Sequence, residues 1–212
     1  SVEVSFAVPK YAAGGGGDSG GGDTGGGDTV GTLLSTADAK GIKTLGFVLM
    51  GVADVEPALS DATLAERWIE SRFQATAIEV NQLLDAYDFS EATRLLYRFV
   101  WNEFCDWYVE IAKIRLYGED EALKRQVSGH LLHLLDAILR LLHPFMPFLT
   151  EELAALMPGN SGFLINSEYP RGDASARDPR VEKEMDELME TIVAIRTMRN
   201  ELGVSPKKEA HA

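Results

Sequence analysis

The sequence lacks the features on which several classes of protein depend. Its single cysteine, Cys105, excludes an internal disulfide framework and suits a reducing compartment. No apolar run approaches the roughly 20 residues that a membrane-spanning helix needs, and the N-terminus has neither a basic region nor an apolar signal core. Basic residues are also few, since the sequence has 20 of them and 33 acidic ones. We therefore expect a cytoplasmic protein with no membrane partner and no indiscriminate affinity for nucleic acid.

The residues that usually carry catalysis or bind metals form no recognisable set. His130 and His133 lie one helical turn apart, but no acidic or cysteine partner completes a zinc site. No Gly-Lys-Ser/Thr sequence follows the glycine-rich stretch, as a phosphate-binding loop would require. We interpret Glu151 and Glu152 as charges at a helix start rather than as an acid–base pair. The sequence predicts no catalytic residue, no metal and no cofactor in this chain.

Composition divides the chain into three parts. Residues 14–31 hold three copies of a glycine-rich pentad, which predicts a flexible linker inside a disordered N-terminal segment, residues 1–46. Residues 47–203 carry the apolar periodicity of a helical domain, and residues 204–212 begin a link that leaves it. The charged residues are also unevenly distributed along the chain. Residues 92–148 hold 7 basic and 7 acidic side chains, so any contact with a polyanion is expected there or near the basic C-terminus.

Apolar residues recur at three- and four-residue steps through most of the chain after residue 60. Proline, glycine and capping residues separate the periodic segments, with Ser60 or Asp61 as the candidate cap of the first helix. The predicted helices cover about residues 60–87, 90–116, 121–143, a short segment from 150, and 179–203. Because the connections are short, the sequence predicts an all-α antiparallel helical bundle.

The second predicted helix contains an unusual aromatic stretch, residues 99–108, with two of the three tryptophans and the only cysteine. At about 100° per residue, one side of this helix gathers mainly aromatic and basic residues, namely Arg94, Tyr97, Arg98, Trp101, Phe104, Cys105 and Tyr108. The opposite side carries Leu96, Phe99 and Trp107. A helix that is apolar on two sides is either enclosed in a bundle or presents aromatic rings to a partner. The residues alone leave both possibilities open.

Several motifs in the same order resemble the anticodon-binding domain of valyl-tRNA synthetases. Residues 101–110 (Trp-Asn-Glu-Phe-Cys-Asp-Trp-Tyr-Val-Glu) are similar to its second helix. Residues 141–153, which include His143-Pro144-Phe145-Met146-Pro147, resemble a helix break shared by the valyl, isoleucyl, leucyl and methionyl enzymes. Residues 64–72, 167–170, 192–201 and 204–208 resemble the first helix, a loop, the last helix and the link to a terminal coiled coil. Together the motifs span about residues 47–208 and favour the valyl over the isoleucyl enzyme.

The resemblance implies both a fold and a partner. The fold is the all-α antiparallel bundle of the class Ia aminoacyl-tRNA synthetase anticodon-binding type, and the partner is the anticodon stem-loop of tRNA(Val). The parent enzyme attaches valine to that tRNA using ATP. Neither His-Ile-Gly-His-like nor Lys-Met-Ser-Lys-Ser-like catalytic motifs occur in this sequence. We therefore expect a chain that is inactive alone, with the catalytic domain of the same enzyme as its other partner.

The resemblance also implies which residues contact RNA, because unstacked anticodon bases need aromatic faces and polar groups for their edges. Phe104 is the first candidate for stacking, with Phe99 and Trp107 packing on the opposite face. The alternative for Phe104 and Trp101 is packing against neighbouring helices. The candidate RNA-binding residues are Arg94, Arg98, Trp101, Phe104, Asp106, Leu164, Ser167 and Arg199.

The sequence leaves other functions open beside anticodon binding. A helical interaction or scaffold module could keep this fold without binding RNA. A rearranged gene could yield a non-functional product, and the equivalent domain of an isoleucyl enzyme is a further alternative.

Overall fold

The computed structural model describes residues 62–157 and 162–204. The expected N-terminal segment with its linker, the candidate caps Ser60 and Asp61, and residues 205–212 of the expected terminal link lie outside the described residues. Within the described ranges the regular elements are helical and no strand occurs. The prediction of an all-α fold is therefore confirmed.

Helix α1, Leu64–Asp85, begins directly after Thr63. The carboxylate of Glu66 accepts a hydrogen bond from the Thr63 backbone N–H at 2.7 Å, which satisfies a donor that the helix itself leaves unpaired. Trp68, Ile69 and other apolar residues at the predicted three- and four-residue spacing are buried along one side. Helix α1 therefore starts a turn later than the predicted caps, but its apolar face is as predicted.

The central rod, residues 89–116, changes its helical geometry midway. It consists of α2 (Phe89–Arg98), a π-helix (Phe99–Val109) and α3 (Glu110–Leu116). In a π-helix each N–H bonds the carbonyl five residues back, so residues four and five apart lie on the same side. Phe99, Phe104 and Tyr108 consequently share one buried face, each at most 2% exposed. In an α-helix, with about 100° per residue, Phe99 would lie on the side opposite Phe104 and Tyr108.

Helix α4 (Glu121–Leu142) has nearly the predicted bounds, whereas α5 (Pro147–Ala155) begins at Pro147 and not at residue 150 as predicted. Asp120 caps α4, accepting from the backbone N–H groups of Ala122 and Leu123. Pro147 occupies the first turn of α5, where its missing N–H costs nothing. Since α4 follows the rod after a turn of only a few residues and packs against α3, its C-terminal end lies at the end of the bundle where the rod begins.

Two 3₁₀ turns, Leu164–Asn166 and Ala174–Ala176, connect α5 to the last helix, α6 (Pro179–Glu201). Between them, Gly172 has φ +76° and lies against α1. A side chain there would start 2.8 Å from the Gln74 carbonyl oxygen and from Ile78. Gly203, at φ +65°, follows the end of α6 as predicted. The connection is therefore attached to the first helix by a position that only glycine fills without strain.

Helix α1 packs against α2, the π-helix and α6, while α4 packs against α3 and α5. The main apolar core of the bundle joins the buried faces of α1, the rod, α4 and the start of α6. A smaller cluster of Leu139, Ala154 and Leu164 lies beneath the first 3₁₀ turn. Among the residues described, no helix combines the length and apolar character needed to cross a membrane.

Candidate nucleic-acid interface

The structure corrects the expected position of Phe104. Its side chain is 2% exposed and its ring centroid lies 6.1 Å from that of buried Tyr108. A base that stacks needs an open ring face, and Phe104 offers none in this structure because the π-helix turns it toward the core. Phe99 is buried as expected. Trp107, expected to be internal, is only half-buried, and the Arg196 guanidinium lies over its ring at 5.6 Å.

Tyr97 and Trp101 form an accessible aromatic pair on the rod. Their rings are stacked with centroids 6.1 Å apart and planes at 5°. Tyr97 is exposed and Trp101 is half-buried. Two stacked rings cover each other on one face, so a nucleobase can stack only on an outer face of the pair. Trp101 was a candidate from the sequence, whereas Tyr97 was not.

Two arginines flank this pair. Arg94 is exposed and donates through Nε to the Glu91 carboxylate at 2.9 Å, one helical turn away. This hydrogen bond raises the pKa of Arg94 and lowers that of Glu91. Arg98 is also exposed, and within the described part of the chain no hydrogen bond or ion pair engages its guanidinium. Arg98 is thus the cation of this region that is best placed to meet a phosphate or a base edge.

A cleft of about 350 Å³ opens beside Arg98, between the rod, α1 and α6. This volume is at the lower end of the range of small-ligand pockets. Arg98, Asn102 and Trp107 line it from the rod, Trp68 and Arg72 from α1, and Asp186 and Met189 from α6. Asn102 contributes an amide that both donates and accepts, the combination that reads the edge of a base.

The floor of the cleft is held by paired charges. Arg72 donates to both oxygens of Glu103, at 2.7 and 2.9 Å, and lies 3.5 Å from Glu182. These carboxylates, chiefly the hydrogen bond to Glu103, raise the pKa of Arg72. Glu182 also accepts from the Ser71 hydroxyl at 2.6 Å and from Arg177 at 3.0 and 3.1 Å. Burial opposes its ionisation, yet these donors hold the pKa of Glu182 below its ordinary value.

This network ties α1, the rod and α6 together. Because its members satisfy one another, it is a structural feature of the cleft rather than a reactive group.

In the 163–167 turn, a second candidate from the sequence, the large exposed side chains are not those of Leu164 and Ser167. Leu164 is 5% exposed and anchors the turn in the small apolar cluster. Ser167 is half-buried, and its backbone N–H donates to the Leu164 carbonyl at 2.8 Å. The neighbours Phe163 and Ile165 point outward, at 69% and 73% exposure. The apolar periodicity of the sequence does not indicate that these two residues are exposed, because their exposure follows from the burial of Leu164 between them.

The candidates do not all lie together. Arg94, Arg98 and Trp101 lie toward the start of the rod, and the antiparallel path of α4 brings the 163–167 turn to that end of the bundle. Arg199 is half-buried one turn beyond Arg196, which contacts Trp107 some distance along the rod. Asp106 is half-buried next to Trp107.

His130 connects two helices instead of forming half of a metal site with His133. Its Nδ1 lies 2.5 Å from the Tyr108 hydroxyl and its Nε2 lies 2.9 Å from the Glu70 carboxylate. Burial, followed by the nearby Glu66 and Glu70, raises the pKa of Tyr108, so this hydroxyl stays protonated. His133 is exposed.

Comparison with known proteins gives one consistent result. A family described as the anticodon-binding domain of tRNA ligase matches residues 66–212. Valine--tRNA ligase of Lactiplantibacillus plantarum is 43% identical over 159 residues, which is 73% of this chain and 18% of that protein. The enzyme of Geobacter sulfurreducens is 43% identical over 160 residues, 74% of this chain and 18% of the relative. That of Bacillus subtilis is 41% identical over 149 residues, 70% and 17% respectively. The chain thus spans less than a fifth of the length of these relatives.

Proposed function

The chain belongs to the anticodon-binding domain family of tRNA ligases, and from this premise we propose that it binds the anticodon loop of tRNA(Val) as part of a valine–tRNA ligase. The observation that carries the proposed site is the stacked Tyr97–Trp101 pair together with the exposed Arg98, the residue that follows Tyr97 in the rod. Proteins recognise RNA loops by stacking splayed bases on aromatic rings and by hydrogen-bonding their edges. The start of the rod offers both kinds of group.

The proposed binding surface has three parts. The Tyr97–Trp101 pair receives a stacked base, Arg98 meets a phosphate or base edge, and Asn102 in the adjoining cleft reads a second edge. The exposed Phe163 and Ile165 of the 163–167 turn border this end of the bundle.

Charge limits how much of the affinity can be electrostatic. The chain carries a net charge of −13, so a long polyanion is repelled from most of its surface. If Arg94 and Arg98 each neutralise one phosphate of a single strand, the logarithm of the affinity should fall with the logarithm of salt concentration with a slope of about −1.4. Stacking and base-edge contacts must then supply the rest.

The chemical activity is proposed for the longer protein. There a catalytic domain, the second partner of this bundle, attaches valine to tRNA(Val) using ATP in the cytoplasm. In this proposal the present chain contributes RNA recognition. The relatives reported above are valine–tRNA ligases, so the isoleucyl equivalent, a scaffold module and a non-functional product are not favoured.

The proposal is tested with a fluorescently labelled anticodon stem-loop of tRNA(Val) and the full chain. Trp101→Ala should weaken binding by roughly 5- to 150-fold, since stacking on an aromatic ring contributes about 1–3 kcal/mol per base. Arg98→Ala should weaken binding and make the salt slope shallower by about 0.7.

Matched controls lie elsewhere on the surface. Tyr117, at the far end of the rod, and Arg180, in the first turn of α6, are exposed. Tyr117→Ala and Arg180→Ala should leave affinity unchanged. Equal losses for the control and site variants, or no loss for Trp101→Ala while its thermal stability matches the parent chain, would contradict the proposed site.

A further inference from the structure

We propose that Glu151 is a positioning residue that fixes the 163–167 turn and thereby displays Phe163 and Ile165 to RNA. Its carboxylate accepts two consecutive backbone hydrogen bonds, from the Leu164 N–H to Oε2 at 3.0 Å and from the Ile165 N–H to Oε1 at 3.1 Å. The Glu151 side chain, on α5, thus accepts from both N–H groups at the start of the Leu164–Asn166 3₁₀ turn. The role in RNA binding rests on the function proposed above.

The turn is held from two sides. Below it, Leu164 packs with Leu139 of α4 and Ala154 of α5, and all three are almost fully buried. From the side, the Glu151 carboxylate fixes the backbone of the same residue. With its middle residue anchored, the turn directs the large apolar side chains of Phe163 and Ile165 into solvent, at 69% and 73% exposure. Exposed apolar side chains on a fixed backbone are a suitable surface for an unstacked base.

The helix break sets the direction of Glu151. The hydroxyl of buried Thr150 donates to the carbonyls of Met146 and Pro147, at 3.0 and 3.2 Å, and lies 2.8 Å from Nδ1 of His143. The His143 ring extends to Glu151, with Nε2 at 3.9 Å from Oε1. These contacts fix the first turns of α5. The interpretation of Glu151 as a charge that favours its own helix start is therefore replaced, since its carboxylate serves the 3₁₀ turn instead.

The neighbouring Glu152 faces solvent and no hydrogen bond or ion pair of its side chain occurs among the described residues. It carries the same charge one position along the same helix. A carboxylate close to RNA repels phosphate, but that of Glu151 is already engaged by two N–H donors. Its effect on RNA binding is therefore positional, and Glu152 provides the matched control.

The test compares Glu151→Gln with Glu152→Gln in the full chain. Glutamine keeps the shape of the side chain but places an NH₂ donor against one backbone N–H. Because a hydrogen bond to a charged group is stronger than a neutral one, amide exchange at Leu164 and Ile165 should accelerate by about ten- to a hundredfold. Affinity for the tRNA(Val) anticodon stem-loop should fall severalfold in the same variant. Glu152→Gln should change neither.

A second variant separates the contribution of the exposed Phe163 side chain from that of the hydrogen bonds that hold the turn. Phe163→Ala keeps the carboxylate and its two hydrogen bonds, so it should lower affinity while leaving amide exchange at Leu164 and Ile165 unchanged. Unaltered exchange in Glu151→Gln would overturn the inference. Accelerated exchange with full affinity would overturn the role in RNA binding. A parent chain that does not bind the stem-loop would refute the proposed function, and the exchange comparison would still decide whether Glu151 fixes the turn.

Discussion

Replacing Glu182 by glutamine should destabilise the bundle far more than the same change at a neighbouring position. Glu182 is buried at the start of α6 and accepts hydrogen bonds from Ser71 at 2.6 Å and from Arg177 at 3.0 and 3.1 Å, with Arg72 at 3.5 Å. It thus joins α6 to α1 and to the paired charges under the cleft. Glu184→Gln removes the same charge from an exposed position and is the control.

The magnitude follows from these contacts. Glutamine retains one acceptor oxygen, but its NH₂ group faces donors, and the bonds from the two arginines lose their charge assistance. A hydrogen bond to a charged group contributes about 1.5–3 kcal/mol against about 0.5–1.5 kcal/mol for a neutral one. Since the Arg177 side chain is 42% exposed, water screens part of this difference. We expect Glu182→Gln to cost about 2 kcal/mol and to lower Tm by roughly 5–10 °C in a domain of this size.

The loss should also depend on pH. The folded-state pKa of Glu182 is lowered from its ordinary value of 4.5, so the unfolded chain binds the proton more readily. The stabilisation is complete above the unfolded pKa and disappears as pH falls through the folded one. The pKa of Glu66 is lowered as well, because the effect of burial is outweighed by its hydrogen bonds to Thr63 and Arg115. Glu66 is present in the parent chain and in the Glu182→Gln variant, so its contribution cancels when their unfolding free energies are subtracted.

Urea unfolding followed by circular dichroism, at neutral pH and in steps down to about pH 3, measures the free-energy difference between the parent and each variant. The expected difference for Glu182→Gln is largest at neutral pH and shrinks below about pH 4.5. A difference that stays constant across this range, or a Glu184→Gln variant that loses as much stability as Glu182→Gln, would refute the reasoning.

Two further predictions concern packing. Phe104→Ala should cost about 3–5 kcal/mol of unfolding free energy, since it empties a core position, while stem-loop affinity measured where the variant remains folded should be unchanged. Reduced affinity at full stability would instead show that Phe104 contacts RNA. Gly172→Ala should destabilise by more than about 1 kcal/mol, because its φ is +76° and the new methyl group would lie 2.8 Å from Ile78 and the Gln74 carbonyl oxygen. A Tm equal to that of the parent chain would contradict that account.

Local spacing predicted much of the fold. Apolar periodicity located α1, α4 and α6, and Gly203 marked the end of α6, whereas Pro147, interpreted as part of a helix break, is the first residue of α5. The π-helix was not predictable in this way. In a stretch with aromatic residues on every side, a change from i→i+4 to i→i+5 bonding leaves no trace in hydropathy, although it decides that Phe104 is internal and Trp107 borders the cleft.

The candidate site was predictable in part. Arg98 and Trp101 were named from the sequence and are accessible to a partner. The contacts that shape their surroundings join distant parts of the chain, such as Ser71 with Glu182 and Glu151 with the 163–167 turn. No local pattern encodes which carboxylate meets which donor across that separation. For the same reason the exposure of Phe163 became evident only when Leu164 was seen to be buried.

The most direct test of anticodon recognition compares two RNA stem-loops of equal length that differ only in the anticodon bases, one of them that of tRNA(Val). Both carry the same backbone charge, so electrostatic attraction cancels in the ratio of their affinities. We predict that the full chain binds the tRNA(Val) loop at least about tenfold more tightly, since each specific base contact contributes on the order of 1–3 kcal/mol. Equal affinity for the two loops, or no binding to either, would contradict anticodon recognition by this chain.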